Sequence, residues 1–273
     1  MSVINTNVSA LFAQNTLAKN ARAQSATMEQ LSTGSRINSA KDDAGGLAIG
    51  QNMTAQVRGL NQAVRNSNDA INMLQTAEGA MVEQSNMLQR MRELAVQASN
   101  ATYSTTQLGY LNTEFQALAT QVYAIASQTT WNGQSLLNIS STTSFTYQTG
   151  INSGNTMIVS VAGTNMSGLS LSTNTAISAA STASTAIGSL DAAIDNINSA
   201  RATLGASINR LTYATDNMKN IATNVAASRS SIMDTDYATA STNLSKTQII
   251  QQAATAMLAQ ANQQPQSVLS LLK

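Results

Sequence analysis

The 273-residue sequence contains no histidine and no cysteine, and only 10% of its residues are charged. Without histidine or cysteine there is no Ser-His-Asp or Cys-His catalytic machinery, no thiol redox chemistry and no ordinary structural zinc site. The 14 Lys and Arg residues nearly balance 13 Asp and Glu residues, so the chain offers no basic surface for nucleic acid or anionic lipid. No segment approaches the roughly 20 apolar residues of a membrane span. We therefore expect a protein that is not an enzyme, needs no cofactor or metal, does not bind nucleic acid and does not span a membrane.

The few charged residues are distributed unevenly along the chain. Residues 1–18, the stretch between Glu114 and Asp191, and the stretch between Lys246 and Lys273 contain none. Surfaces of soluble monomers usually carry interspersed charge. The uncharged ends therefore predict surfaces that lie against other protein, with simple polar tails as the alternative. The N-terminus also lacks the basic and apolar segments of a cleaved secretory signal.

Apolar residues spaced three and four apart predict three long helices. The clearest pattern covers residues 187–225, a sustained heptad repeat typical of a coiled-coil-like helix roughly 58 Å long. Residues 53–98 keep the same rhythm, interrupted by the polar residues Ser67 and Gln84, and residues 108–125 form a shorter pattern of the same kind. Amphipathic helices of this kind bury one another as a bundle of long rods.

Both chain ends also have helical spacing of apolar residues. The C-terminal end carries two apolar stripes, and its own chain does not easily bury both. An isolated helix of this length and composition is marginal in water. We expect both ends to be unfolded or loosely helical in the monomer and to become ordered only against partners.

The middle of the chain departs from helical spacing. Residues 131–133 (Trp-Asn-Gly) are a tight-turn signal, and alternating runs follow at residues 145–147 and 157–161, separated by glycines. This pattern predicts one or two β-hairpins packed on the bundle. The fold class is therefore mainly α: a long antiparallel helical rod or bundle, with terminal coiled-coil-like helices and a small β-hairpin region.

No group of residues predicts a catalytic site. The carboxylate pairs Asp42/Asp43 and Asp234/Asp236 lie at probable helix boundaries, where aspartate ordinarily caps a helix. One polar helix face interleaved with the apolar seam stands out, and it consists of Gln89, Arg90, Arg92, Glu93 and Gln97. Its simplest interpretation is a solvated surface with local polar pairs worth a few tenths of a kcal/mol each.

Several motifs resemble bacterial flagellin closely. They are the opening INTN of residues 4–7, LSTGSRINSAKDDAGGLAI at 31–49, QRMRELAVQ at 89–97, WNGQSLLN at 131–138, RATLGA at 201–206, SRSSIMDTDYA at 228–238 and VLSLL at 268–272. The matches extend over nearly the whole chain. The segment between the two matched halves is short, so the sequence resembles a short flagellin with small or absent outer domains.

The resemblance implies a structural subunit that polymerises into the helical flagellar filament for swimming motility. It implies an inner filament-core domain from residues 1–41 and 234–273, and a rod domain with N-terminal helices at 42–139, a β-hairpin region at 140–175 and a C-terminal helix at 176–233. Filament-core packing would fall on Leu11, Phe12, Ile250, Met257, Leu258, Val268 and Leu271. Head-to-tail contacts that do not close generate such an open filament.

The resemblance also implies partners and a location. The chain would be extracellular, in the flagellar filament, and exported without a cleaved signal peptide. Besides further copies of itself, its partners would be a flagellin export chaperone, hook-associated junction and cap proteins and, as a possible host receptor, Toll-like receptor 5. The surface for receptor and inter-subunit contacts would fall on Gln89, Arg90, Leu94 and Glu114. Two alternatives are a hook–filament junction adaptor and a flagellin-like module that binds polysaccharide or a host surface.

Overall fold

The computed structural model describes residues 6–139, 141–169, 171 and 175–270, with the side chains of 264–270 excepted. Within these residues the chain forms five helices and two short strand pairs. The elements are α1 (Val8–Thr33), α2 (Ala44–Ala98), α3 (Thr105–Gln128), β1 (Thr130–Trp131), β2 (Gln134–Ser135), β3 (Thr143–Gln148), β4 (Thr156–Val161), α4 (Ala180–Met233) and α5 (Tyr237–Ser270). The mainly helical fold class is confirmed. In the described part of the chain, no helix is both long and apolar enough to cross a membrane.

The chain divides into two compact units. The first, called the terminal unit here, consists of residues 1–57 and 223–273, and the second, the central unit, of residues 58–222. Each unit brings together residues from different elements.

The central unit is built around one continuous hydrophobic cluster. Segments of α2, α3 and α4 contribute to it, together with residues of the hairpin region. The predicted apolar seams are confirmed, because Leu74, Leu88, Ile197 and Leu211 are each 0% exposed. Alanines alternate with these larger side chains along the buried faces, and Phe115 of α3 fills the space beside them. Interlocking of large and small side chains gives such interiors their close packing.

Polar contacts show that the long helices of the central unit run antiparallel. Arg92 of α2 pairs with Asp191 of α4, whereas Glu78, earlier in α2, pairs with Arg201, later in α4. The side chain of Gln84 reaches the carbonyl oxygen of Val122 in α3. The heptad spacing predicted that these helices form a bundle, and the ion pairs show that α2 and α4 run in opposite directions.

Two hairpins cover part of this bundle, as the alternating runs predicted. In the first, Trp131 pairs with Gln134 across a turn in which Asn132 and Gly133 have φ angles of 48° and 79°. Two consecutive positive φ angles define the tight turn that suits the twist of a hairpin, and Asn-Gly adopts it readily. In the second hairpin, β3 and β4 are antiparallel, with Phe145 opposite Val159.

The terminal unit contains an antiparallel pair formed by α1 and α5. The Asn7 side chain donates a hydrogen bond of 2.7 Å to the carbonyl oxygen of Ala261, and that of Asn20 donates one of 2.8 Å to Thr247. Our expectation of unfolded or loosely helical ends therefore differs from the structure, in which both ends are helical over their described residues. Sequence spacing did not reveal these two asparagine contacts, which join residues more than 220 positions apart.

A short backbone junction joins the two halves of the chain within the terminal unit. Ser35 forms an antiparallel bridge with Asp234, and the Arg36 backbone N–H donates to the Met233 carbonyl oxygen at 2.7 Å. The Arg36 guanidinium also donates to the carbonyl oxygen of Ile232 near the end of α4. A cation at this position satisfies a terminal carbonyl and suits the negative end of the helix dipole.

Candidate assembly surfaces

The terminal helix pair exposes large apolar side chains. Phe12 is 75% exposed, Met257 is 65% exposed and Leu11 is 51% exposed. Ile250 and Leu258 are half-buried. Of the other two predicted core-packing residues, Val268 lies where side chains are not described, and Leu271 lies outside the described residues.

Two of these side chains, Phe12 and Met257, line a groove between α1 and α5. The groove encloses about 560 Å³ and is bordered by Val8, Ser9, Phe12, Ala13, Thr16, Ala254, Met257 and Ala261. Its lining contains no charged residue, which follows from the absence of charge at both chain ends. Contiguous apolar surface of this kind marks sites of protein–protein contact.

The terminal unit buries little apolar surface of its own. Among its described residues, the buried hydrophobic side chains are Ile37 and Ala240, at 2% and 4% exposure. The polar side chain of Asn20 is also buried, at 8% exposure, and it donates a hydrogen bond across the helix pair. A two-helix pair with so small an interior gains most of its stability from tertiary contacts outside itself. The groove is therefore a candidate surface for contact with other protein.

A second candidate surface lies on the polar face of α2. Arg90 donates to Glu93 at 3.0 Å within α2 and to Glu114 of α3 at 3.0 and 3.1 Å. Gln89 is exposed beside this cluster. Leu94 differs from the expectation, because its side chain is 1% exposed and belongs to the hydrophobic cluster beneath the face. The structure thus brings together Gln89, Arg90 and Glu114 at the surface and places Leu94 under it.

The ion pairs of this face shift the arginine pKa values. Hydrogen bonds from Arg90 to Glu93 and then to Glu114 raise the pKa of Arg90. The hydrogen bond to Asp191 raises the pKa of Arg92 in the same way. All of these side chains are substantially exposed, and exposed pairs contribute little to stability. The face is an exposed cluster of paired charges.

One aspartate of each pair caps a helix, as predicted for aspartates at helix boundaries. Asp43 accepts the backbone N–H of Gly46 at 2.8 Å, at the start of α2. Asp236 accepts the N–H of Ala238 at 2.9 Å, at the start of α5. The hydroxyl of Thr239 is the main cause of the lowered pKa of Asp236. In the described segments, no group of three or more acidic residues is arranged to hold a metal ion.

Sequence reasoning missed one buried polar group. Gln84 is 0% exposed, and its Nε2 donates to the carbonyl oxygens of Val122 at 3.1 Å and Thr164 at 3.3 Å. The position was visible only as a polar interruption of an apolar seam. A polar residue at a position that faces the core is itself a signal of a buried hydrogen bond, but the partners come from α3 and from the loop after β4.

Long antiparallel helices, and an uncharged groove that no described side chain of its own unit covers, are typical of a structural protein built from helices. Comparison with known proteins specifies the family. Residues 4–142 match the family model for the bacterial flagellin N-terminal helical region, and residues 187–272 match the model for the bacterial flagellin C-terminal helical region.

Similar proteins cover the chain almost completely. It is 42% identical over 276 residues to a flagellin of Halalkalibacterium halodurans, covering 99% of this chain and 100% of that one. It is also 42% identical over 312 residues to a flagellin of Xenorhabdus nematophila, covering 100% and 99%. The crystal structure of Bacillus cereus flagellin is similar over 60% of this chain and 94% of that one, with a TM-score of 0.50 and 38% sequence identity.

The chain belongs to the bacterial flagellin family. It is a short flagellin and a structural subunit of the flagellar filament, which places it outside the cell, in the organelle of bacterial motility. Neither a junction adaptor nor a binding module built on the same scaffold is favoured as its principal role. The family is one of structural proteins and not of enzymes.

Proposed function

We propose that this subunit polymerises through the apolar groove of its terminal helix pair, with residues 1–41 and 234–273 forming the inner core of the filament. The observation that supports the proposal is the exposure of Phe12 and Met257 in an uncharged groove whose unit has almost no core of its own. The occupant is the corresponding terminal pair of neighbouring subunits. Residues 42–139, 140–175 and 176–233 form the surrounding rod.

The groove is suited to repeated contact between identical subunits. An apolar surface that meets a different surface on the next copy generates an open helical polymer when the rotation does not close. Burial of a phenylalanine or methionine side chain contributes roughly 1.5–3 kcal/mol. Since every added subunit repeats the contact, loss of one such side chain raises the critical concentration for assembly by roughly ten- to a hundred-fold.

Seeded assembly tests this proposal. Monomers with Phe12→Ser or Met257→Ser should elongate filament seeds only at much higher concentration, as measured by light scattering and electron microscopy. The matched control is Tyr213→Ser, which removes a side chain that is 77% exposed on α4 in the central unit. Deletion of residues 247–273 should abolish growth and leave the central unit folded. Normal polymerisation of the truncated chain or of both serine variants would show that the groove is not the core contact.

The charged face around Arg90 supports a second, more specific proposal. We propose that Gln89, Arg90 and Glu114 form a surface for inter-subunit contact and for Toll-like receptor 5, with Leu94 supporting it from beneath. The support is that Arg90 is held by two carboxylates in one fixed geometry. Receptor activation by monomers carrying Arg90→Ala or Glu114→Ala should fall, and activation by the control Arg210→Ala, at an exposed arginine of α4, should not. Unchanged activation by the first two variants would refute the proposal.

We further propose that the chain is exported without removal of a signal peptide and meets an export chaperone, hook-associated junction proteins and a cap protein. The apolar groove supports the chaperone interaction, because exposed apolar surface before assembly requires cover. Mass spectrometry of subunits from purified filaments tests the export route. Subunits that have lost an N-terminal segment would contradict it. Co-purification of a chaperone with wild-type monomer, and its loss with Phe12→Ser and Met257→Ser together, would support a groove-bound chaperone.

A further inference from the structure

A cleft in the central unit combines aromatic and planar polar side chains. It encloses about 460 Å³ between α2, the β1–β2 hairpin and strand β3. Its aromatic residues are Trp131, Phe145 and Tyr147, and the chain has only one tryptophan. Phe145 and Tyr147 are two positions apart on β3 and so lie on the same face of the strand. All three are half-buried, so the hydrophobic cluster supports them and solvent still reaches them.

The polar side chains of the cleft have unused hydrogen-bonding capacity. Asp69 of α2 and Gln134 of β2 are exposed, and neither makes a hydrogen bond or ion pair within the described part of the chain. Gln148 uses its amide N–H groups on the carbonyl oxygens of Gly150 and Asn152, which leaves its Oε1 as an acceptor. A carboxylate and two amides thus surround an aromatic surface.

Tyr147 offers a ligand in the cleft its aromatic ring, because its hydroxyl is already hydrogen-bonded within the protein. The hydroxyl of Tyr147 donates to the sulfur of Met73 at 3.0 Å. Burial raises the pKa of Tyr147 to about 12, so its ring remains uncharged at neutral pH. Asp69 is consequently the one charged group among the residues that line the cleft.

We propose that this cleft binds a neutral saccharide. The C–H face of a sugar ring is apolar and electropositive, and it stacks on an aromatic face, where the electron density is concentrated. Its hydroxyls both donate and accept, and they need partners of both kinds, which amides and a carboxylate supply together. An organic cation would stack on the aromatic face beside Asp69, but it would leave the amide N–H donors of Gln134 without an acceptor, which sugar hydroxyls supply. An acidic sugar would meet the negative charge of Asp69.

This site would add a ligand to a filament subunit and does not depend on how the subunits assemble. A filament that repeats one weak saccharide site along its length gains avidity for a polymer that engages several copies. The shared chemistry is a neutral sugar, either as a free oligosaccharide or as part of a surface polysaccharide.

The single tryptophan makes the test specific. Binding near Trp131 should change the fluorescence of monomers excited selectively at tryptophan. The probes are maltose, N,N′-diacetylchitobiose, digalacturonate and choline, and soluble starch serves as a polymeric neutral saccharide. We expect a saturable change with at least one neutral disaccharide in the millimolar range and none with digalacturonate or choline. If starch binds filaments more tightly than monomers, the polymeric source is favoured, and equal affinity favours the free oligosaccharide.

Two cleft variants and one matched control separate a site from a general effect. Asp69→Ala and Gln134→Ala should each weaken binding by about ten-fold, because each removes a side-chain hydrogen-bonding group that contacts the sugar. Asp195→Ala, at an exposed aspartate on α4 outside the cleft, should leave binding unchanged. Circular dichroism checks that the helices are intact. A response to choline or digalacturonate alone, no response to either neutral disaccharide, or equal binding by all three variants would overturn the proposal.

Discussion

Replacing Gln84 with glutamate should make the stability of the central unit depend on pH. The side chain is 0% exposed, and its Nε2 donates to the carbonyl oxygens of Val122 and Thr164. An ionised glutamate has no donor, so Gln84→Glu would place a negative carboxylate against two carbonyl oxygens. The protonated form keeps one donor and no charge. The folded protein therefore favours the protonated form, and the pKa of the new carboxyl is raised.

The size of the pKa shift in Gln84→Glu follows from the burial of this side chain. Full burial raises a glutamate pKa by up to 3–5 units from about 4.3, and each unit corresponds to about 1.4 kcal/mol. A rise of about 3 units thus costs about 4 kcal/mol once both folded and unfolded states are ionised. Between the two pKa values the folded state binds more protons than the unfolded state. The free energy of unfolding of Gln84→Glu, relative to wild type, should consequently fall by about 1.4 kcal/mol per pH unit above about pH 4.3 and level off near pH 7.5.

Urea unfolding of monomers measures this effect, with Trp131 as the fluorescent probe in the same unit. The difference between variant and wild type should be several-fold larger at about pH 8 than at about pH 5. Gln89→Glu is the matched control, since it makes the same change at an exposed position of the same helix. Its difference from wild type should stay within about 0.5 kcal/mol at both pH values. A loss for Gln84→Glu that does not change with pH would refute the proposed burial of this side chain between two carbonyl oxygens.

Three further predictions concern glycines, a helix cap and the terminal pair. Gly163→Ala should lower the melting temperature of monomers markedly, because the new Cβ would overlap the backbone carbonyl oxygen of Ile139. Gly205→Ala should stabilise α4 by about 0.5–1 kcal/mol, because nothing lies within 4 Å of its new Cβ. Equal melting temperatures for the two variants would contradict both expectations. The pKa of Asp236 is lowered, so its contribution to stability is present above the ordinary aspartate pKa and is lost as the pH falls through the lower folded value. Acid should therefore fray the first turn of α5 in wild type, and the circular dichroism of Asp236→Asn should show less of this acid dependence. Amide hydrogen exchange in α1 and α5 should be fast in monomers and slow in filaments, and equal protection in both forms would argue against assembly through this pair.

Periodicity predicted the helices and hairpins because each buried face repeats at a fixed spacing. The seam of α4 buries Ile197, Leu204 and Leu211 as the heptad required. The Asn-Gly turn and the alternating runs gave both hairpins for the same local reason. Contacts between distant parts of the chain were beyond this kind of reasoning. Nothing in the spacing indicates that Asn20 bonds to Thr247 or that Gln84 reaches the loop after β4.

The candidate surfaces were predicted to different extents. Missing charge at the chain ends predicted an assembly surface, and this stays a prediction; the structure shows an uncharged groove lined by Phe12 and Met257 there. Leu94 was assigned to a surface by resemblance alone, and its side chain lies in the core instead. The heptad spacing is consistent with the burial of Leu94, because Leu94 lies beside Met91 and Ala95 on the apolar side of α2. The aromatic cleft was not predicted, since its residues come from three elements that are separated in sequence.

The two units differ in how they use apolar side chains, and this difference explains why the chain ends are helical and yet need partners. The central unit buries its apolar seams against its own chain, as the full burial of Leu74 and Phe115 shows. The terminal unit forms capped helices and two partly buried hydrogen bonds across the helix pair, but it leaves Phe12 and Met257 exposed to solvent. Hydrogen bonds fix which residues of α1 and α5 face each other, and each contributes only about 1 kcal/mol. The larger apolar contribution remains available for neighbouring subunits. A charged residue in this groove would oppose the burial of Phe12 and Met257. No charged residue lines the groove, because the stretches of α1 and α5 that form it contain none.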